Sequence, residues 1–305
     1  MTGMALSTVP ITCSGPALEP HARAIADQFH LSLAIPAPDP SHDPLLMLTP
    51  DGLQLRAGAT CITCDFLTGP LAHRIRLNTH NRFRAESLIK AMSPPKTGDA
   101  TKELGRDAPL GWVIDATAGL GRDSMLLALA GFHVIAIEQN PVVAALFHDG
   151  LSRALADPAF SARLGDRLTL RLGDAVELIP ALPPVDGIYL DPMFPPRSKS
   201  ALVKKEMQLL QLLHNPRNPR KDDPRKGDAR KGDPRKGNAD DERLLDAALA
   251  HVACRGQFRG RGRGEFRGRG RVVVKRPRLA PPLAGRKPAF TRMDKTVRYD
   301  VYLPT

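Results

Sequence analysis

Trp112-Val-Ile-Asp-Ala-Thr-Ala-Gly-Leu-Gly-Arg-Asp-Ser-Met-Leu126 decides how the rest of the chain is read. Its first part, Trp112 to Ala116, is a short apolar run bounded by turn residues, which predicts a buried strand. Small residues follow, and an apolar helical pattern then runs from Asp123 to Ala130. A strand that turns tightly through glycines into a helix exposes backbone amides at the helix start, where a ligand can lie against the main chain. A dinucleotide fingerprint would require a third glycine at position 124, where Ser124 stands, and no Gly-Lys-Ser/Thr follows to hold a triphosphate. Asp115 and Asp123 flank the turn and would repel a pyrophosphate, whereas they suit a ligand carrying a positive charge.

The same rhythm continues outward. Strands are expected at His133 to Glu138, Arg167 to Leu172, Gly187 to Leu190, Val272 to Lys275 and Val297 to Leu303, with helices at Pro141 to Ala156 and Ser198 to Leu213. Alternation of this length predicts an α/β fold, a parallel, Rossmann-like doubly wound sheet with ligands at the carboxyl ends of its strands. Residues 1–75 read as a small N-terminal α+β lobe, with a helix at Ala17 to Phe29, short apolar runs at Val9 to Thr12, Leu31 to Ile35, Leu45 to Leu48, Leu53 to Arg56 and Ile62 to Leu67, and a hairpin turn at Pro50-Asp51-Gly52. The larger domain is expected over 76–305, opening with a basic helix at Asn81 to Met92.

The strand ends carry a consistent chemistry. Glu138 stands 19 residues beyond Gly119, where a carboxylate can accept from ribose hydroxyls, with Gln139 beside it. Asp174 and Ala175 follow the third strand, where an adenine amino group would lie, although a lone acid there is more often a helix cap. The fourth strand ends Asp191-Pro192-Met193-Phe194. An exocyclic amine on a base is a poor nucleophile, and a carboxylate with a backbone carbonyl, here Asp191 and Pro192, can accept its protons and aim its lone pair. Phe194 can stack on an unpaired base. Sulfonium, amino group, ribose and adenine together describe S-adenosylmethionine, and the spacing suits a class I methyltransferase. The cofactor set is then Asp115, Gly119, Gly121, Arg122, Asp123, Glu138, Gln139, Asp174, Ala175 and Asp191, with no metal.

Composition sets limits on partners. The chain has 305 residues with 44 Lys+Arg against 32 Asp+Glu, a formal charge of +12. Most of the excess lies in two low-complexity stretches read as disordered basic insertions. Residues 214–240 hold nine basic and five acidic side chains, and residues 255–271 hold seven and one. They are read either as RNA-grasping arms or as expansions without effect. No apolar run reaches the roughly 20 residues a bilayer needs, and four cysteines make no disulfide framework, so a cytoplasmic protein is expected. Cys61 and Cys64 have a zinc-knuckle spacing without a second pair, which favours ordinary strand cysteines. His73 and Arg74 can touch a phosphate or pack between lobes.

Five motifs together, Asp115 to Asp123, Glu138 to Leu146, Tyr189 to Pro195, Lys199 to Met207 and Val272 to Pro277, resemble the ribosomal RNA small subunit methyltransferase J family. The resemblance is close from about Pro70 to Leu213 and from Val272 onward. It implies S-adenosylmethionine as donor, methylation of the exocyclic N2 of a guanosine in 16S rRNA, and naked 16S rRNA or the small ribosomal subunit as partner. It also implies cofactor contacts through Arg122, Asp123, Glu138 and Gln139, and a target site closed by Asp191. The family pattern can have a Ser-Ser pair where this chain has Asp174-Ala175, and it has no counterpart of the two basic insertions. Two other readings of the same residues are an enzyme acting on adenine N6 in DNA or on an amide nitrogen, and a non-catalytic RNA-binding or assembly factor.

Overall fold

The computed structural model describes residues 7–36, 44–69, 72, 73, 75, 83–93, 110–192, 239–254 and 270–304. The chain divides into two compact units, one containing Met1–Ala72 with Gln139–Ser161, the other His73–Glu138, Ala162–Pro192 and Arg230–Thr305. Arg74, Phe194, the expected helix at Ser198 to Leu213 and most of the two basic stretches lie outside the described residues.

The first unit is built on a five-stranded sheet. Strand β1 (Ser7–Cys13) leads through helix α1 (Glu19–Phe29) to β2 (Leu31–Leu33), and β3 (Leu45–Thr49), β4 (Gly52–Ala57) and β5 (Thr60–Thr63) follow, in the order β2-β1-β3-β4-β5. Pairing of Thr49 with Gly52 closes the hairpin at Pro50-Asp51, as its turn residues predict. The last strand is shorter than the apolar run Ile62 to Leu67 suggests. Asp65 Oδ1 accepts from the amides of Leu67 at 2.7 Å and Thr68 at 3.1 Å, and this turn ends the ladder.

The second unit holds helix α2 (Ser87–Met92) and a seven-stranded sheet. The basic helix is shorter than expected because Glu86 takes an extended conformation (φ −69, ψ 148) and starts it late. In chain order the other elements are β6 (Gly111–Asp115), α3 (Arg122–Ala130), β7 (Phe132–Glu138), α4 (Pro141–Ala156), α5 (Pro158–Leu164), β8 (Leu168–Leu172), α6 (Ala175–Leu178), β9 (Gly187–Leu190), α7 (Ala239–Cys254), β10 (Arg271–Pro277), β11 (Phe290–Met293) and β12 (Val297–Tyr302). Of these, α4 belongs to the first unit, where Cys64 closes against Gly150 and Phe66 meets Phe147 edge-on at 6.0 Å.

The sheet order is β11-β12-β10-β9-β6-β7-β8, with β8, β7, β6, β9 and β10 parallel. Chain direction across the sheet reverses between β6 and β9, the switch point at which doubly wound sheets bind ligands. The sheet is not parallel throughout, since β12 and β11 are antiparallel. Strand β11 escapes sequence reading because all four of its residues are exposed and no alternation marks it.

One face of the sheet is covered by α7, whose Leu244, Leu245, Ala248 and Val252 pack on Ile114, Ile188, Leu190, Val272 and Val274. Four residues read as parts of the basic insertions belong to the folded unit. Ala239 and Asp240 open α7, and Gly270 and Arg271 are buried. A Cβ on Gly270 would lie 2.8 Å from the Val252 carbonyl, so the start of β10 is pressed against the end of α7. Arg271 is 3% exposed, and its Nη1 donates to Ser93 O at 2.6 Å, so burial and hydrogen bonding hold a side chain that composition alone assigned to a disordered arm.

Candidate functional site

Three adjacent strands of the second unit end in carboxylates. Asp115 closes β6, Glu138 closes β7 and Asp191 follows β9, while Asp174 follows β8 at the edge. The parallel register forces this convergence, because Asp115 pairs with Ala136 on one side and Tyr189 on the other.

The turn after β6 is fixed from within. Gly119 and Gly121 have φ of +55 and +73, left-handed conformations that glycine adopts without a Cβ penalty. Gly119 N donates to Glu138 Oε2 at 2.8 Å, so the acid of the second strand holds the turn of the first. Ser124, in the place of the third glycine, donates to Asp115 Oδ2 at 2.5 Å. Asp115 is 1% exposed, and burial, with the nearby Asp123 and Asp191 charges adding against relief from Ser124 and Thr117, pushes its carboxyl up to about 7.

Beside this turn lies a cluster that the sequence did not disclose. Lys275, on β10, donates to Asp123 Oδ2 and to Asp191 Oδ2, both at 2.8 Å. Tyr189 donates its hydroxyl to Asp123 Oδ2 at 2.6 Å, and Asp191 N donates to Thr117 Oγ1 at 2.6 Å. Tyr299 pairs with Lys275 across β12 and β10 and is buried. Burial works against the charge of Lys275, but the two carboxylates more than offset it and hold the ammonium above the usual lysine range. Burial raises the Asp191 carboxyl, Lys275 draws it back and Asp123 adds to the rise, leaving it above its ordinary value. A charged residue directly after the apolar run Val272–Val274 was the available signal for Lys275, but what it touches depends on the β9–β10 pairing.

The remaining predicted residues are placed as follows. Asp174 caps α6, its Oδ1 accepting from Val176 N at 2.8 Å, and Ala175 behind it is 7% exposed. Arg122 and Gln139 are exposed, and Gln139 falls in the first unit. Pro192 is buried next to Asp191. His73 is exposed; Cys61 is exposed while Cys64 is buried, so the two thiols do not share an environment. Among the described residues no group of three metal-ligating side chains comes together, and no helix is long and apolar enough to cross a membrane.

The residues fit a cationic cofactor on two counts. Asp123 and Asp191 share one ammonium, and the buried Asp115 lies close enough to feel both of their charges, so the acids outnumber the cation. Among the described residues, no atom lies within 4 Å of a Cβ built on Gly119, so the bare turn is uncovered by them. A family model for SAM-dependent methyltransferases matches residues 25–215 and 266–304. The ribosomal RNA small subunit methyltransferase J of Pectobacterium atrosepticum is 39% identical over 274 residues, covering 87% of this chain and 89% of that protein. This chain belongs to the ribosomal RNA small subunit methyltransferase J family. The methyltransferase J of Thioalkalivibrio sulfidiphilus is 36% identical and covers 94% of each chain. The crystal structure of the SAM-dependent methyltransferase NGO1261 from Neisseria gonorrhoeae aligns with a TM-score of 0.61 at 28% identity, covering 97% of this chain and 96% of that one. The chain is accordingly an S-adenosylmethionine-dependent methyltransferase of class I, Rossmann-like fold.

Proposed function

We propose that this methyltransferase acts on the exocyclic N2 of a guanosine in 16S rRNA, in the cytoplasm, without an obligate protein partner. The observation that carries the reading is the Asp191 carboxylate, fixed at the end of β9 beside the switch point and one strand from the Gly119 turn. The names of the two relatives above, both ribosomal RNA small subunit methyltransferases, supply the substrate class.

The cofactor would be held by Asp115, Gly119, Gly121, Arg122, Asp123, Glu138, Gln139, Asp174 and Ala175, with Asp191 between it and the base. S-adenosylmethionine supplies a methyl group on a positively charged sulfur. The protein's task is to make a weak nucleophile attack it. Asp191 and the Pro192 carbonyl accept the amine protons, which draws the nitrogen out of conjugation with the ring and directs its lone pair. Phe194 provides a stacking surface for the extruded base. No dedicated base is required, since the methylated nitrogen is acidic enough to lose its extra proton to water. Lys275, held as an ammonium, is unsuited to take it.

Asp191→Ala should lower methyl transfer by on the order of a hundredfold or more while cofactor affinity, measured by titration calorimetry, changes by no more than a few fold. Turnover within a few fold of the unmodified enzyme would refute the assignment. Assays on naked rRNA, small subunits and duplex DNA, with mass-spectrometric mapping of the product, test the substrate.

A further inference from the structure

Lys275 is the cation on which the site's carboxylates converge. The side chains of Lys275, Asp123 and Asp191 are 25%, 24% and 34% exposed, so the bridge is partly sheltered from solvent. Asp123 on α3, Asp191 after β9 and Tyr299 on β12 face it directly, and Tyr189 on β9 and Asp115 on β6 join the cluster through the two aspartates. Burial first, then the neighbouring carboxylates, raise both tyrosines above the ordinary phenol range, so they stay neutral and the cluster's charge is set by the three acids and the lysine.

The geometry is selective. Lys275 engages the Oδ2 atom of Asp191, and among the described residues no donor reaches Oδ1. A carboxylate anchored through one oxygen cannot rotate freely about its side-chain torsions, so the other oxygen has a fixed direction. The same ammonium reaches Asp123, in the first turn of α3, so the carboxylate after β9 is tied to the helix that follows the Gly119 turn. We propose that Lys275 is a positioning residue: it pins Oδ2 of Asp191, presents Oδ1 to the target amine, and registers that oxygen against the cofactor turn through Asp123. The proposal rests on the methylation reading above. It makes the lysine neither a proton acceptor nor a substrate ligand.

The two-point hold explains why a lysine stands here. Two separate carboxylates on one Nζ suit a compact ammonium with three rotatable donors, whereas a planar guanidinium directs paired donors in a fixed fork. Arginine should therefore restore charge without restoring direction.

The test uses the full chain with Lys275→Met and Lys275→Arg. In Lys275→Met, methyl transfer to small-subunit RNA should fall on the order of a hundredfold, the loss a misplacement of about 1 Å produces, with KM for RNA and the cofactor affinity within a few fold. The acid limb of the rate profile should move to higher pH, because the cation that favours the ionised carboxylate is gone. Lys275→Arg should return the acid limb toward its original position while recovering only part of the rate. A substrate-free readout accompanies these, the carbon-13 titration of the Asp191 carboxyl, which should move up in pH in Lys275→Met and revert in Lys275→Arg. Unchanged titration, or turnover within about threefold of the unmodified enzyme in Lys275→Met, would overturn the proposal. An unmodified enzyme that methylates no RNA, with the Asp191 titration shifted as expected, would overturn the function and support the lysine's hold on the carboxylate.

Discussion

Asp115 makes the site sensitive to pH before any ligand arrives. Its carboxyl is raised from 3.8 to about 7 by burial and by the charges of Asp123 and Asp191. An acid that holds its proton more tightly when folded contributes full stability below its unfolded value and loses it as pH rises toward the folded one. The cofactor-free protein should therefore lose thermal stability as pH rises from about 4 to about 7. Asp115→Asn should flatten that dependence in melts across the range, and a parallel slope in the variant would contradict the assignment. At this scale the sequence disclosed the carboxylates, because acids after strands are visible as letters. It did not disclose Ser124, read only as a missing glycine, whose hydroxyl in fact relieves the buried Asp115. Lys275 was hidden for another reason, since its partners are 152 and 84 residues away and meet it only through the folded sheet.

Among the elements, α4 shows how close packing replaces intrinsic preference. Glycine in mid-helix costs up to about 1 kcal/mol relative to alanine, yet Gly150 is retained where a Cβ would sit 2.6 Å from the Cys64 carbonyl and 2.7 Å from its sulfur. Gly150→Ala should destabilise the protein by about 1–3 kcal/mol, the usual cost of forcing bulk into a packed interior, despite its better helix propensity. Chemical denaturation measures this directly, and a stabilised variant would show that the packing there yields. Most elements were legible because their patterns are strong: α4 begins at Pro141 after the cap Asn140, whose side chain accepts from Val142 N and Val143 N, and β9 is an unbroken buried run. The failures follow from weak patterns. Helix α7, between two low-complexity stretches, was not read from the sequence, and β11 presents no buried face at all.

For the whole molecule, charge is distributed very unevenly. The stretches 214–238 and 255–269 together hold 15 basic and five acidic residues, ten of the twelve excess positive charges. Removing both should reduce the slope of RNA affinity against salt by roughly 0.7 for each single-strand phosphate they had neutralised, while Asp191 chemistry at low salt persists. Filter-binding across a salt series measures the slope, and no change would identify the stretches as expansions without a role in binding.

The joint at which Gly270 presses on Val252 has a consequence for how this chain can diversify. The end of α7 and the start of β10, between which residues 255–269 run, meet at the amino edge of the sheet, the pole opposite the carboxylates. Lengthening such a closed excursion costs only about 0.6 kcal/mol per doubling. Its length and arginine content can therefore change at little cost to the folded sheet, far from the rim that carries the carboxylates.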